Sequence, residues 1–100
     1  MSRTPEARRL ARLYLTAVSH GVDPEAFGRR SFVDTWRCLK RTRRATVREC
    51  VEATRLSYES VRRAFHFLLR SGLARAQSEK PLRISLEEHD LNRYFEYCFL

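Results

Sequence analysis

Apolar residues recur at helical spacing in two short groups within residues 46–73, TVRECVEATRLSYESVRRAFHFLLRSGL. The first group starts at Thr46, which forms a capping-box pattern with Glu49 three residues later. The second starts at Ser57, a favourable N-cap, and stops before Gly72, which suits a left-handed position after a helix. The pattern therefore predicts two short helices joined by a tight turn.

Each helix of this pair has one apolar face. The inward positions of the second helix are Val61, Ala64, Phe65, Leu68 and Leu69. Two helices this short, with so little chain between them, must cross at a steep angle. We therefore expect the outer face of the second helix to project from the scaffold.

Two further helices are predicted before the pair. One covers residues 5–19 and starts at the Thr4-Pro5-Glu6 signal. The other covers residues 32–43, with Ser31 and Asp34 expected at its cap. It is expected to brace the helix pair through its apolar face.

After the pair, the period changes from that of a helix to that of a strand. Residues 73–76 and 82–86 alternate, and the polar residues 77–81 separate them, which predicts a short β-hairpin. A last helix is predicted over residues 87–100, started by a capping box of Ser85 and Glu88. The chain is thus expected to be one mainly α domain, residues 1–100, with a small β-hairpin.

The composition gives this predicted domain a strong positive charge. The 100 residues carry a net charge of +8, with a pI near 10.3, and a basic balance of this size is typical of nucleic-acid binding. No apolar run is long enough for a membrane span, and no signal peptide is recognised, so a cytoplasmic, soluble protein is expected.

The outer face of the second helix carries polar and basic side chains. An α-helix fits the DNA major groove, where arginine can donate two hydrogen bonds to guanine O6 and N7. The alternative is an ordinary exposed polar face. The candidate groove contacts are Tyr58, Ser60, Arg62, Arg63 and His66.

The helix pair and the extended segments after it resemble the winged helix-turn-helix family of DNA-binding transcriptional regulators. The resemblance covers residues 30–86 and implies a three-helix core plus wing, here with additional N- and C-terminal helices. It also implies that the second helix of the pair is the recognition helix and that the hairpin lies along the DNA backbone.

Two groups of residues are expected at the DNA backbone. The phosphate contacts are Arg41, Arg43, Arg44, Thr46 and Arg48. The wing contacts are Arg75, Gln77, Ser78, Lys80 and Arg83. The alternatives are a solvated helix face with its loop for the first group, and a hairpin too short to reach DNA for the second.

The chain departs from the family pattern at three positions. Thr54 replaces a large aliphatic residue, and Arg55 stands at a turn position that usually holds Gly or Asn. A left-handed Arg55 costs about 1 kcal/mol, which suggests a different turn geometry. Phe67 lies on the flank of the recognition helix, where a polar residue is usual, so another element or a partner subunit is expected to cover it.

The last helix carries an aromatic ridge that would expose too much apolar surface if it were uncovered. Packing against the first helix of the same chain is one solution. The favoured one is a homodimer through the terminal helices, because paired recognition helices read palindromes. The predicted dimer contacts are Leu91, Tyr94, Phe95, Cys98 and Phe99.

The three cysteines show no metal-ligand spacing, and each lies at an apolar helix position. Small buried hydrophobic residues are the expected role, with a Cys38–Cys50 bridge as the alternative. No nucleophile, phosphate loop or metal motif indicates an enzyme, a cofactor or a small-molecule substrate. Sequence-specific binding of double-stranded DNA is therefore predicted, with a winged-helix protein-interaction module or an RNA-binding protein as alternatives.

Overall fold

The computed structural model describes residues 29–100, except for the side chain of Cys98, so the predicted helix over residues 5–19 lies outside them. These residues form a mainly helical fold of four helices and one three-stranded antiparallel sheet. The elements in chain order are α1 Arg30–Thr42, β1 Arg44–Thr46, α2 Val47–Thr54, α3 Tyr58–Arg70, β2 Ala74–Glu79, β3 Leu82–Leu86 and α4 Asp90–Phe99.

The caps predicted for the central helix pair are confirmed. The Thr46 hydroxyl accepts from the Glu49 N–H at 3.2 Å, and the Glu49 carboxylate accepts from the Thr46 N–H at 3.0 Å. Ser57 accepts from the N–H of Ser60 at 3.1 Å. Gly72 follows α3 with a φ of +76°, a conformation that glycine adopts without steric cost.

The turn between α2 and α3 differs from the expectation. Arg55 adopts the left-handed conformation, with φ 62° and ψ 17°, so the prediction of a different geometry is wrong. Its N–H donates to the Val51 carbonyl at 2.8 Å and ends α2. The Thr54 hydroxyl donates to the Cys50 carbonyl and accepts from the N–H of Leu56. These bonds fix the turn locally.

The start of α1 also differs from the prediction. The helix begins at Arg30, and Arg29 at the cap makes no side-chain hydrogen bond, so the cap of Ser31 with Asp34 is wrong. The helix ends at Thr42 because Arg43 has a φ of 71°, which turns the backbone out of the helix.

Strand β1 was not predicted. It pairs with β3 in a sheet of order β1-β3-β2, with Ala45 opposite Ile84. Three residues are too few to show a strand period, so only the pairing partner reveals this strand. Strand β2 is also longer than predicted and continues to Glu79, past a bulge at Gln77 that breaks its alternation.

Helix α4 starts later than predicted. His89 is its N-cap, and His89 Nδ1 accepts from the N–H of Leu91 at 3.0 Å. Ser85 lies within β3, paired with Arg44 and Arg75, so the expected capping box of Ser85 with Glu88 is wrong. Ser85 cannot cap α4 because its backbone is part of the paired strand β3.

An aromatic seam joins α4 to α1 within one chain. We give this name to Phe32, Trp36, Phe95 and Phe99. Phe95 meets Phe32 and Trp36 edge to face, with ring centroids 5.6 and 5.9 Å apart, and stacks on Phe99 at 4.9 Å. Edge-to-face and offset packing are the favoured arrangements of aromatic rings.

The seam buries part of the predicted dimer stripe. Leu91 and Phe95 are only 4% and 2% exposed, and Phe99 packs on Trp36 of the same chain. Tyr94 and Phe99 are half-buried, so homodimerisation through the terminal helices stays a prediction. Phe67 is partly covered, because its ring meets Phe32 edge to face at 5.3 Å.

Asn92 completes the attachment of α4. Its Oδ1 accepts from Trp36 Nε1 at 3.0 Å, and its Nδ2 donates to the carbonyls of Leu73 and Glu87, each at 2.8 Å. Asn92 is 6% exposed, so these bonds satisfy groups that have little access to water. One side chain thereby joins α4 to α1, to Leu73 just before β2, and to Glu87 just after β3.

Cys38 and Cys50 are free thiols and are buried, which confirms that they act as small buried residues. Burial, reinforced by the neighbouring Cys38 thiol, raises the pKa of Cys50. The protonated form is therefore favoured, and no bridge joins these two residues.

Candidate nucleic-acid interface

The outer face of α3 is accessible, as the helix-pair geometry predicted. Glu59, Arg63, His66 and Arg70 follow one another at spacings of three or four residues, opposite the buried Val61 stripe. The side chain of Arg63 is 74% exposed and that of Arg62 is 43% exposed. Arg70 was missed, although its position four residues after His66 places it on this face.

Glu59 holds both neighbouring arginines. Arg62 donates from Nε and Nη2 to the carboxylate at 3.0 and 2.6 Å, and Arg63 donates from Nε at 3.2 Å. The hydrogen bond from Arg62 is the main reason that the pKa of Glu59 is lowered. The same bond raises the pKa of Arg62. The Glu59 carboxylate and the Arg62 guanidinium are therefore both charged at neutral pH.

The two arginines differ in what they can still donate. Arg63 uses only its Nε–H, so all four N–H groups on Nη1 and Nη2 remain available for a bidentate contact. Arg62 is bound through two nitrogens and is less exposed. Arg63 is thus the better donor to an external acceptor, with Glu59 orienting it from behind.

A cleft runs along the same flank of α3. It has a volume of about 500 Å³, and its lining includes Arg62, Arg63, His66, Phe67 and Arg70. The described part of this lining is cationic apart from His66 and Phe67, and it contains no acidic side chain. The cleft therefore favours an anionic occupant.

A second cationic region surrounds α2, and we call it the basic surface. Its members are Arg43, Arg44, Arg48 and Arg55. All four side chains are exposed, and within residues 29–100 none of their guanidinium groups has a hydrogen-bond or salt-bridge acceptor. Arg41 is also exposed and lines a groove between α1 and the end of α2. Arg55 was missed because it was considered only as a turn residue.

Thr46 does not belong with these cations. Its hydroxyl accepts from Glu49, its N–H is already bound by the Glu49 carboxylate, and the residue is 9% exposed. The capping box already uses the backbone N–H of Thr46. A phosphate contact by Thr46 is therefore less favoured than contacts by the exposed arginines.

Most wing residues have partners inside the chain. Arg75 pairs with Glu87 at 3.2 Å and Arg83 with Glu49 at 2.7 Å, while Gln77 donates to Ser85 and Ser78 to the Pro81 carbonyl. Lys80 in the turn is exposed and has no acceptor among residues 29–100. Of the five predicted wing contacts, Lys80 is therefore the readiest to meet an external anion.

Glu49 connects the wing to the helix pair. Its Oε1 accepts from both the Thr46 N–H and Arg83 Nη1, and Thr46 lies opposite Arg83 in the sheet. The Thr46 backbone bond is the main cause that lowers the pKa of Glu49, and the Thr46 hydroxyl and Arg83 add to it. An ionised Glu49 thus bonds to the start of α2 and to β3 at the same time.

The turn of the hairpin borders a groove next to α2 and α3. The groove has a volume of about 340 Å³, and Arg48, Tyr58 and Pro81 are among the residues that line it. Tyr58 is 59% exposed at the start of α3. Fold and groove together bring the start of the predicted recognition helix close to Arg48 and to the hairpin turn.

Comparisons with protein-family models, curated proteins and solved structures found no match to this chain. Among residues 29–100, no helix has the length and apolar character needed to cross a membrane. The same residues contain no group of three His, Cys, Asp or Glu side chains placed to hold a metal ion.

Proposed function

We propose that the protein is a winged helix-turn-helix regulator that binds double-stranded DNA. Helices α1, α2 and α3, followed by the β2–β3 hairpin, have the order of a three-helix core plus wing. Helix α3 is the proposed recognition helix, and its exposed face supports that role. Strand β1 fastens the hairpin to the start of α2 and so fixes the position of the wing.

The basic surface is the observation that carries the proposal. Four exposed guanidinium groups, none with an acceptor in the described part of the chain, lie around an eight-residue helix, next to a projecting cationic helix face. An anionic partner would supply the acceptors that these four groups do not find among residues 29–100. Duplex DNA supplies closely spaced phosphates, and Arg matches phosphate geometry with bidentate hydrogen bonds.

The two cationic regions are proposed to have different roles. Arg43, Arg44 and Arg48 neutralise phosphates and contribute affinity for any sequence. Arg63, held by Glu59 but with both terminal nitrogens available, donates to guanine in the major groove. The proposed regulator therefore separates general affinity from sequence preference.

Fluorescence anisotropy with labelled duplex DNA and a labelled RNA hairpin, at about 50 and 200 mM salt, tests the proposal. We expect tighter binding to the duplex, and a loss of roughly 100-fold between these salt concentrations if about four phosphates are neutralised. The Arg43→Ala/Arg48→Ala double variant should bind much more weakly. Arg30→Ala/Arg93→Ala removes the same charge from residues that have carboxylate partners, and it should bind like the wild type.

Two results would reject the proposal. Equal losses in both double variants would mean that only net charge matters, and tighter binding to the hairpin would indicate an RNA-binding protein. A protein-interaction module is less favoured, because Phe67 packs against Phe32 and Phe95 of α4 is buried, which leaves less of the apolar surface that suggested it.

A further inference from the structure

Two arginines of the basic surface occupy backbone conformations that favour glycine. Arg43 has a φ of 71° and follows α1, and Arg55 has a φ of 62° and follows α2. Gly72, which follows α3, is the third residue with a positive φ among residues 29–100. A positive φ after a helix is thus adopted by glycine at one helix end and by arginine at two, with ψ −36° at Arg43 and 17° at Arg55.

A side chain at these positions is unfavourable for a simple steric reason. In L-residues with positive φ, Cβ approaches the following carbonyl oxygen, and glycine avoids this contact because it has no Cβ. Residues kept in such conformations concentrate at functional sites, where the side chain has a purpose other than stability. A residue with a strained backbone is therefore a candidate functional residue.

Contacts within the chain do not explain the two arginines. The backbone N–H groups of Arg43 and Arg55 donate to Leu39 and Val51, as any residue except proline would at these helix ends. Both guanidinium groups are exposed and have no acceptor among residues 29–100. A cation near the end of a helix gains only a small favourable interaction with the helix dipole.

We propose that Arg55 is a phosphate-contact residue, and that Arg43, just before β1, and Arg55, just after α2, both bind the phosphodiester backbone. This inference rests on the proposed DNA binding and adds Arg55 to its contacts. Strand β1 and helix α2, which is eight residues and about 12 Å long, lie between the two residues in the chain, so the two cations can meet separate phosphates. Glycine at either position would adopt the positive φ without strain, but it would lack the positive charge. The charge is therefore the proposed reason for arginine at both positions.

Arg55→Gly and Arg43→Gly test this inference because stability and binding should change in opposite directions. Each variant removes the steric conflict, so the melting temperature should rise by about 2–4 °C, since a small domain gains several degrees per kcal/mol. Duplex affinity should fall about three- to tenfold, and the slope of log affinity against log salt should lose about one unit. Both quantities are measured on the full-length chain, by thermal unfolding and by anisotropy with one random duplex.

Two controls separate strain from charge. Gly72→Ala adds a Cβ that meets no atom within 4 Å, so it should lower the melting temperature through backbone strain and leave binding unchanged. Arg93→Ala removes one positive charge from α4 and should change neither quantity appreciably. These variants calibrate the two effects that the arginine substitutions combine.

The outcomes distinguish this inference from the proposed function. Wild-type binding to duplex with no loss in Arg55→Gly would overturn the phosphate role and leave DNA binding intact. A lower melting temperature for Arg55→Gly would show that the fold itself needs the arginine, which also overturns the inference. Absence of wild-type duplex binding would reject the proposed function, and the inference with it.

Discussion

The aromatic seam and the basic surface show opposite relations between side chains and their surroundings. In the seam, rings are buried against one another, and the indole N–H of Trp36 is satisfied by Asn92. On the basic surface, four guanidinium groups have no acceptor among residues 29–100, and two of them belong to residues with positive φ. One region stabilises the fold, whereas the other combines exposed positive charge with two strained backbone positions.

This difference predicts that substitutions in the two regions change different quantities. Seam variants should lose stability while the folded fraction binds DNA normally. Basic-surface variants should lose affinity while stability is unchanged or improved. Variants that change both quantities together would contradict this separation.

The largest effect is expected for Phe95→Ala. Loss of this ring removes contacts with Phe32, Trp36 and Phe99 and leaves a cavity, so the free energy of unfolding should fall by about 3–5 kcal/mol. Urea denaturation followed by circular dichroism measures this change. Tyr97→Ala, at a 75% exposed position on the same helix, is the control and should change stability by less than about 0.5 kcal/mol.

Asn92→Ala is expected to have the next largest effect. It leaves the Trp36 indole N–H and the carbonyls of Leu73 and Glu87 without their side-chain partner, which costs about 2–3 kcal/mol. Hydrogen exchange should show weaker protection in α4. Unchanged protection there would mean that the rings alone attach the helix.

Within the cationic regions, Arg63→Ala and Arg44→Ala should differ in kind. Arg63→Ala should weaken binding to a selected sequence by about 1–3 kcal/mol and relax the preference at one base pair. Arg44→Ala should weaken selected and random duplexes equally and reduce the salt slope by about one. Binding to both duplexes, measured for each variant, checks this division, and identical losses for the two variants would contradict it.

Glu59→Gln should have a smaller effect, and it should change affinity and sequence selectivity in opposite directions. Removing the carboxylate takes a negative charge away from the DNA and releases both arginines, so affinity for random duplex should rise about two- to fivefold. The ratio of selected to random affinity should fall, because Arg63 is no longer oriented. A rise in both affinities by the same factor would mean that Glu59 contributes only its charge.

The smallest effect concerns pH and Glu49. The pKa of this carboxyl is lowered in the folded chain, chiefly by the Thr46 backbone N–H, so its contribution to stability is present above the ordinary Glu pKa of about 4.3. That contribution is lost as the pH falls through the lowered value. Glu49→Gln should therefore be less stable than the wild type near neutral pH, and the gap should narrow under acid. A gap that does not depend on pH would refute the ionised link to Arg83.

Elements fixed by neighbouring residues could be predicted from the sequence. The capping box at Thr46, the Ser57 cap and the left-handed Gly72 each depend on residues within one or two turns. The face of α3 followed from the same local period. Arg70 was available to this reasoning, because its spacing from His66 alone puts it on that face.

Elements fixed by distant residues could not be predicted in this way. Strand β1 exists because β3 pairs with it from about 40 residues along the chain, as the pairing of Arg44 with Ser85 shows. The same pairing removed Ser85 from the cap of α4, and the role passed to His89. The role of a residue therefore also depends on pairing with residues that are distant in the sequence.

The sequence by itself determined the helix pair, the cationic outer face of α3 and the strong positive charge, because short-range periodicity and composition are sufficient for these. Only the tertiary structure decided that α4 packs against α1 within one chain, that Glu59 binds both Arg62 and Arg63, and that the charges around α2 have no acceptor among residues 29–100. These outcomes depend on which groups meet in space, and burial and pairing energies between distant residues select among arrangements that local pattern leaves equally possible.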